Sequence, residues 1–354
     1  MKRFLLFILL GTILISPLKS IAGSVSQAGV LFLKISPGAR PSGMGEAFVA
    51  LADDATATWW NPAGLAFQPR NEMTLMHTNW LPQFHLSDLY FDFVSYIHYV
   101  EDWGTFGGNL IFMNYGEIQR TDEIGTNLGT FTAYELAASG AYGSQVNNNF
   151  ALGVGIKFIY SHLSPLGAGQ EKGSGIASVF AIDIGALYKL RVVPGLQIGA
   201  NLSNMGPKIS YIDRSQADPL PTNLKIGLAY KLLEQEYNKF TLTFDVDKEL
   251  VTREEDGSTD PFYAALFTSW YNDGGFFSPD EIEELIWHFG AEYWYGELVG
   301  LRCGYWHDAL GKVKPITAGF SIQYSVYRFD FGYMTAGENH PVTDTMRFSL
   351  SFGL

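Results

Sequence analysis

Seven histidines and a single cysteine are spread along the 354 residues of this chain, and general-base or thiolate chemistry would have to begin with them. His98, His162, His288 and His307 fall on or beside segments with strand periodicity. An imidazole becomes a working base when a hydroxyl, thiol or carboxylate stands within hydrogen-bond reach. The sequence holds no Gly-x-Ser-x-Gly elbow, no His-Glu-x-x-His pair and no phosphate-cradling loop. The four histidines therefore read as packing residues near strand ends, and no enzyme activity is expected. Cys303 is alone, so it can form no intrachain disulfide or thiolate metal site and is expected to pack on a strand.

The other concentration of chemistry is the long stretch 251–284. It gathers Glu254, Glu255 and Asp256, then Asp280, Glu281, Glu283 and Glu284. Carboxylates in this number could ligate calcium, but their spacing is not that of an EF-hand loop. A solvated loop with a short amphipathic helix is the expectation, with no metal or other cofactor. Its aromatics Trp270, Tyr271, Phe276 and Phe277 are the candidate contacts for a ligand or partner protein.

The elements that would carry these residues begin with an export signal. Lys2 and Arg3 precede an apolar run of residues 4–15, and Ser20, Ile21 and Ala22 follow as a cleavage site. Residues 1–22 are thus expected to be removed. The remainder has 20 basic and 36 acidic side chains, a net charge of −16, which argues against nucleic acid as a partner. No later stretch reaches the ~18 apolar residues of a membrane helix, so a span would have to be made of strands.

The dominant period is two, recurring in segments of roughly ten residues. Leu152, Val154, Ile156, Phe158 and Tyr160 share one face, against Ala151, Gly153, Gly155 and Lys157. The closing stretch repeats the division, with Met346, Phe348, Leu350 and Phe352 opposing Arg347, Ser349, Ser351 and Gly353. Alternation alone also suits a soluble sandwich. Aromatics near the strand ends, an opposite face of Gly, Ser, Thr and charges such as Lys157, Asp245, Arg328 and Asp330, and the aromatic C-terminal strand favour a transmembrane antiparallel barrel. The count is fourteen strands over residues 71–354. Short links after even-numbered strands and long ones after odd-numbered strands put both termini in the periplasm.

Residues 23–70 do not alternate. From Gly38 to Ala47 and again from Ala52 to Ala66 they are crowded with small side chains, as a segment packed tightly in a lumen requires. Asp53 and Asp54 are placed to cap a short helix, and Asn61 before Pro62 is pushed toward an extended or turn conformation.

With its Asn61, Pro62, Ala63 and Gly64 motif and its Gly-rich strand faces, the chain resembles the fatty-acid-transporter (FadL) superfamily of outer-membrane barrels, and within it the PorV/PorQ branch. The resemblance implies an all-β barrel with residues 23–70 as a luminal hatch bearing that motif, in the outer membrane of a Gram-negative-type bacterium and in contact with its lipid. For the PorV branch it implies binding or shuttling of exported proteins in a type IX secretion system. For the wider superfamily it implies passive transport of a hydrophobic small molecule.

Overall fold

The computed structural model describes residues 28–121, 124–165, 174–212, 216–252, 258–271, 278–338 and 340–354. The expected signal at 1–22 lies outside them, as do Phe276 and Phe277. Fourteen strands form a closed antiparallel barrel. They are β1 (Glu72–Asn79), β2 (Tyr90–Val100), β3 (Gly104–Thr121), β4 (Asn127–Asn147), β5 (Phe150–Ser164), β6 (Gly175–Lys189) and β7 (Leu196–Met205), then β8 (Asn223–Glu234), β9 (Asn238–Glu249), β10 (Ile286–Tyr295), β11 (Val299–His307), β12 (Ile316–Tyr324), β13 (Tyr327–Thr335) and β14 (Thr345–Gly353). Each pairs with its sequence neighbours, and β14 closes on β1 from Glu72↔Gly353 to His77↔Phe348. Closure leaves no sheet edge around the ring, the condition a barrel must meet in lipid.

The period of two sorts side chains in the reverse of a soluble protein. On β5, Leu152, Val154 and Ile156 are exposed at 45, 50 and 58%, while the inward Lys157 is 2% exposed. On β14, Met346, Phe348 and Leu350 face out and Arg347, Ser349 and Ser351 are buried. An aliphatic outer face around a polar interior is stable only if the outer solvent is apolar. Cys303 belongs to the outer face of β11 and is exposed, not packed.

Two belts of rings bound the apolar band. Toward the long-loop end, His77, Tyr90, Phe112, Tyr134 and His162 form a ladder across β1 to β5 with centroid separations of 5.8, 6.1, 5.8 and 4.9 Å. Toward the short-turn end, Phe106 lies 4.8 Å from Tyr142, whose hydroxyl donates to the Trp103 carbonyl at 2.5 Å. From Phe150 to Tyr160 on β5, about ten residues at ~3.4 Å each and ~40° tilt give roughly 26 Å, the height of a barrel's apolar belt.

Before the first strand the chain forms short turns that pack against the inward faces of the strands: helix α1 (Ala39–Gly43), helix α2 (Ala57–Trp60) and a 3-10 turn (Pro62–Phe67). Met44, Phe48, Trp60 and Leu65 are fully buried there. The stretch 251–284 carries helices α3 (Phe262–Thr268) and α4 (Pro279–Glu283), two where one was expected.

Candidate functional site

The inward faces of the strands are built so that the backbone of residues 38–66 can touch the wall. Gly153 on β5 stands where an added Cβ would be 2.2 Å from both the Ala63 nitrogen and the Pro62 carbonyl carbon. At Gly185 on β6 the same atom would meet Asn61 Oδ1 at 2.2 Å, and at Gly143 on β4 the Pro62 oxygen at 2.5 Å. These three glycines are register partners, Gly143↔Gly153↔Gly185, so three adjacent strands present one smooth patch to the motif. The opposite wall repeats the device: Gly304 on β11 meets Gly45, Gly290 on β10 meets the Met44 carbonyl, and Gly332 on β13 meets that of Ala39. A glycine inside a strand weakens it, and close approach of another backbone is the recurrent reason for one. The Gly-rich inner faces are a docking surface for the N-terminal segment.

Asn61 fastens the motif. Its backbone is extended at φ −167°, ψ 103°, and its side-chain oxygen accepts from the Ala63 nitrogen, capping the 3-10 turn. Its Nδ2 donates to the Val49 carbonyl at 2.9 Å and to Ala186 of β6 at 3.1 Å. Pro62, Ala63 and Gly64 are all buried, and a Cβ at Gly64 would lie 2.2 Å from the Ala52 carbonyl. Asp245 on β9 holds the next turn from the wall, accepting from Phe48 N at 2.7 Å and Val49 N at 2.8 Å through one oxygen.

A closed cycle of charge ties the same segment to the far wall. Arg40 donates to both carboxylate oxygens of Glu292 on β10, at 2.8 and 2.7 Å, and lies 3.1 Å from Asp54. Glu292 also accepts from Arg302 on β11 at 2.6 Å. Arg302 lies 3.5 Å from Asp330 on β13, Asp330 pairs with Arg328 at 2.9 Å, and Arg328 returns to Asp54 at 3.3 Å. Burial pushes the Asp54 carboxyl up, but the guanidiniums of Arg328 and Arg40 outweigh it and hold the acid below the usual carboxylate range. Burial likewise opposes the Arg40 charge, and Asp53 and Glu292 overcome that opposition. Nearby, Arg347 of β14 pairs with Glu46 at 3.1 Å and donates to the Ser36 carbonyl. Asp53 and Asp54 therefore cap no helix. The N-cap of α2 is Thr56, which makes no side-chain cap bond, and Asp54 accepts from Thr56 while serving the arginines.

On the long-loop side of Trp60 lies a cavity of about 230 Å³ lined by Trp59, Trp60, Lys157, Asn201, Lys225, Asp247, His288 and Trp306, among others. Polar and charged side chains share its wall with the apolar faces of Leu33, Trp59, Trp60, Ile286 and Trp306.

The candidate loop contacts separate. Trp270 is half-buried beneath Lys248, whose Nζ sits 5.3 Å from its ring. Tyr271 is 65% exposed, and Tyr263 and Phe267 on α3 are exposed at 64 and 72%. Their spacing of four, Tyr263, Phe267 and Tyr271, is the signal in the sequence that places them on one helical face. In the acidic stretch, Glu281 pairs with the buried Lys248 at 2.6 Å and Glu284 joins the same lysine.

The four strand histidines do not converge. His98 meets Asn71, His162 stacks on Tyr134, His288 bonds the Gly45 carbonyl and His307 contacts the Tyr305 hydroxyl. A fifth, His77, hydrogen-bonds Asp92 at 2.6 Å on the outer face, and its hydrogen bonds among the described residues end there, with no nucleophile attached.

The family model for the type IX secretion system protein PorV matches residues 20–256. No curated protein matches the sequence. Among solved structures, the Pseudomonas putida toluene transporter TodX aligns over 90% of this chain and 99% of its own at 15% identity, with a TM-score of 0.55. The Ralstonia pickettii toluene transporter TbuX aligns over 90 and 98% at 13% identity and a TM-score of 0.53. A FadL homologue from Pseudomonas aeruginosa aligns over 89 and 97% at 11% identity and a TM-score of 0.51. At these identities the likeness is one of fold.

Proposed function

The chain belongs to the family of the type IX secretion system protein PorV, and from that premise we propose that it is a shut outer-membrane barrel whose long loops bind exported proteins or secretion components. Residues 23–70 are its hatch, residues 71–354 its membrane barrel, and the long-loop end faces outside, with both termini in the periplasm. The observation that carries this reading is the fastening of residues 38–66 to opposite walls, by the glycine patch on β4 to β6 and the charge cycle on β10, β11 and β13. A channel that must open for each passenger would have to break a buried charge network at each passage, and breaking such a pair costs roughly 3–5 kcal/mol. A protein-binding barrel needs no such opening.

Passive transport of hydrophobic molecules is the reading the solved structures with the same fold bring forward. One feature favours it: β7 ends at Met205, so residues 175–181 of β6 have no register partner in β7. Yet Ile209 and Leu220 pack in one cluster with Ala177, Val179 and Ala181 along that stretch, and the cavity behind the hatch contains the buried ion pairs of Lys157 and Lys225. Affinity purification from detergent-solubilised outer membranes, through a tag in a long loop, tests the choice. Exported proteins co-purifying with the native barrel, and lost from a Tyr263→Ser/Phe267→Ser variant, would support binding. A bare barrel carrying a stoichiometric apolar molecule would overturn it.

A further inference from the structure

The hairpin of β3 and β4 outgrows its neighbours at the long-loop end. β2 pairs with β3 only as far as Tyr90↔Asn114, and β4 pairs with β5 only as far as Tyr134↔His162, a pair that stands in the ladder of rings. Beyond these points residues 116–121 of β3 and 127–133 of β4 are paired with each other alone among the described residues. At ~3.4 Å per residue, residues 127–133 carry β4 about 24 Å past the ladder along its own line.

A lone two-stranded hairpin is marginal in water, and the two outer edges of this one are treated differently. The β3 edge is guarded. Tyr115 is an extra residue there, unopposed between Asn114↔Tyr134 and Gly116↔Ala133. Asp88 closes over it, its carboxylate accepting from the Glu117 nitrogen at 3.1 Å and its carbonyl from Asn114 Nδ2 at 2.7 Å. Bulges and charges are what keep an edge strand from pairing. The β4 edge lacks both from Thr130 to Ala133. That stretch holds no charge and no proline, and its register with β3 is unbroken from Gln119↔Thr130 to Gly116↔Ala133.

The alternation of an antiparallel strand decides which groups this edge offers. Lower on β4 the Gly140 carbonyl points at β5, 3.7 Å from where a Cβ on Gly155 would stand. Thr132 and Thr130 lie an even number of residues away, so their N–H and C=O groups point to the same side, where β5 no longer pairs. Both residues are exposed, and neither makes a hydrogen bond on that side among the described residues. Phe131 and its register partner Ile118, 39% exposed, make one face of the hairpin apolar, and the threonines make the other polar.

On the reading that the long loops bind exported proteins, we propose that residues 130–133 of β4 take an extended segment of such a protein as an added antiparallel strand, in line with β5 below. Main-chain donors and acceptors in alternation are matched by the main chain of another strand. The segment would set apolar side chains beside Phe131 and polar ones beside the threonines. A second copy in the same membrane would run its β4 parallel to this one, which is the weaker pairing.

The test uses the native barrel, purified from outer membranes through a tag outside the β3–β4 hairpin together with the exported proteins it retains. Exchange mass spectrometry should show residues 127–134 exchanging about tenfold more slowly in the complex than in the barrel alone, and recovery of the partner should fall about tenfold in Thr132→Pro, the worth of roughly one main-chain hydrogen bond. That proline removes an edge N–H and leaves the ladder to β3 intact. Thr130→Lys/Thr132→Lys should lower recovery as well, and Gln119→Lys, the same charge on the guarded strand, should not. All variants must keep the heat-modifiable gel mobility of a folded barrel; should the proline variant fail to fold, the lysine pair carries the test. Full recovery from a folded edge variant, or unslowed exchange at residues 127–134, would overturn the added strand and leave loop binding standing. A native barrel that retains no exported protein would overturn both.

Discussion

Arg40 and Glu292 stand 252 positions apart in sequence and meet in a two-pronged pair, Nε to Oε2 at 2.8 Å and Nη2 to Oε1 at 2.7 Å. The pair joins the N-terminal segment to β10 inside the barrel, and both side chains are nearly inaccessible. Parallel bonds from a planar guanidinium fix direction as well as distance. The position of α1 against the wall is therefore specified and not merely favoured.

Removing one partner leaves the other charged and buried. Arg40→Ala is expected to loosen the segment by about 3–5 kcal/mol, exposing residues 38–66 to amide exchange and proteolysis while the strands stay protected. Glu292→Gln, which keeps one hydrogen-bonding arm, should cost less. Exchange mass spectrometry on the folded barrel reads both, and Arg40→Ala with unchanged protection at residues 38–66 would count against the cycle as an anchor.

The glycine patch makes a steric prediction. Gly153→Ala places a Cβ 2.2 Å from the Pro62 carbonyl carbon, so either the turn or β5 must shift. An overpacked contact costs ~1–3 kcal/mol, read as a lower unfolding midpoint and faster exchange at residues 61–65. Gly140→Ala is the matched control, because its nearest neighbour is Ile156 Cγ2 at 4.0 Å. Equal effects from the two would contradict the patch as a contact surface.

Asn61→Ala deletes a cap and two anchoring donations at once. A lost cap costs ~0.5–2 kcal/mol and each donation about 1 kcal/mol, so roughly 2–4 kcal/mol in total is expected. Asn61→Asp should retain the cap to Ala63 but present a carboxylate to the Val49 and Ala186 carbonyls. Thermal denaturation should therefore place Asn61→Asp no higher than wild type.

Acid should release the segment late. Asp54 has its folded pKa held below the unfolded carboxylate value of ~3.9 by Arg328 and Arg40. Its contribution is fully present above that value and is lost as pH falls through the folded pKa. The part of the protease protection of residues 38–66 that depends on Asp54 should thus persist from neutrality to about pH 4 and fall below it. Arg40, Arg328 and Thr56 contact the group, and Arg328→Gln should move the loss to higher pH.

The barrel was legible because a period of two is written into every strand, and the expected fourteen segments match the observed ones to within a few residues. What period two does not encode is which inner residue meets which turn of the hatch. The inward glycines were visible as a composition, but Gly153 acquires its meaning only from Pro62, 91 positions earlier. Glu292 and Arg302 went unnoticed because a lone charge on a polar strand face looks like a solvated one. Local sequence places Asp53 and Asp54 at a helix start but does not show Arg328, which takes Asp54 for an ion pair instead. The extended backbone of Asn61 is one of the two conformations, extended or turn, that a following proline favours, a constraint that acts locally and so is visible in the sequence.

The central claim, that the lumen stays shut while the protein works, is tested most directly by tying the hatch to the wall. Lys34 of the N-terminal segment and Glu249 of β9 lie 2.5 Å apart, so Lys34→Cys/Glu249→Cys in a Cys303→Ala background can be joined by a short thiol-reactive cross-linker and released by reductant. Export of type IX substrates should continue at the uncross-linked rate when the tether is closed. Export that stops on cross-linking and resumes on reduction would contradict the account.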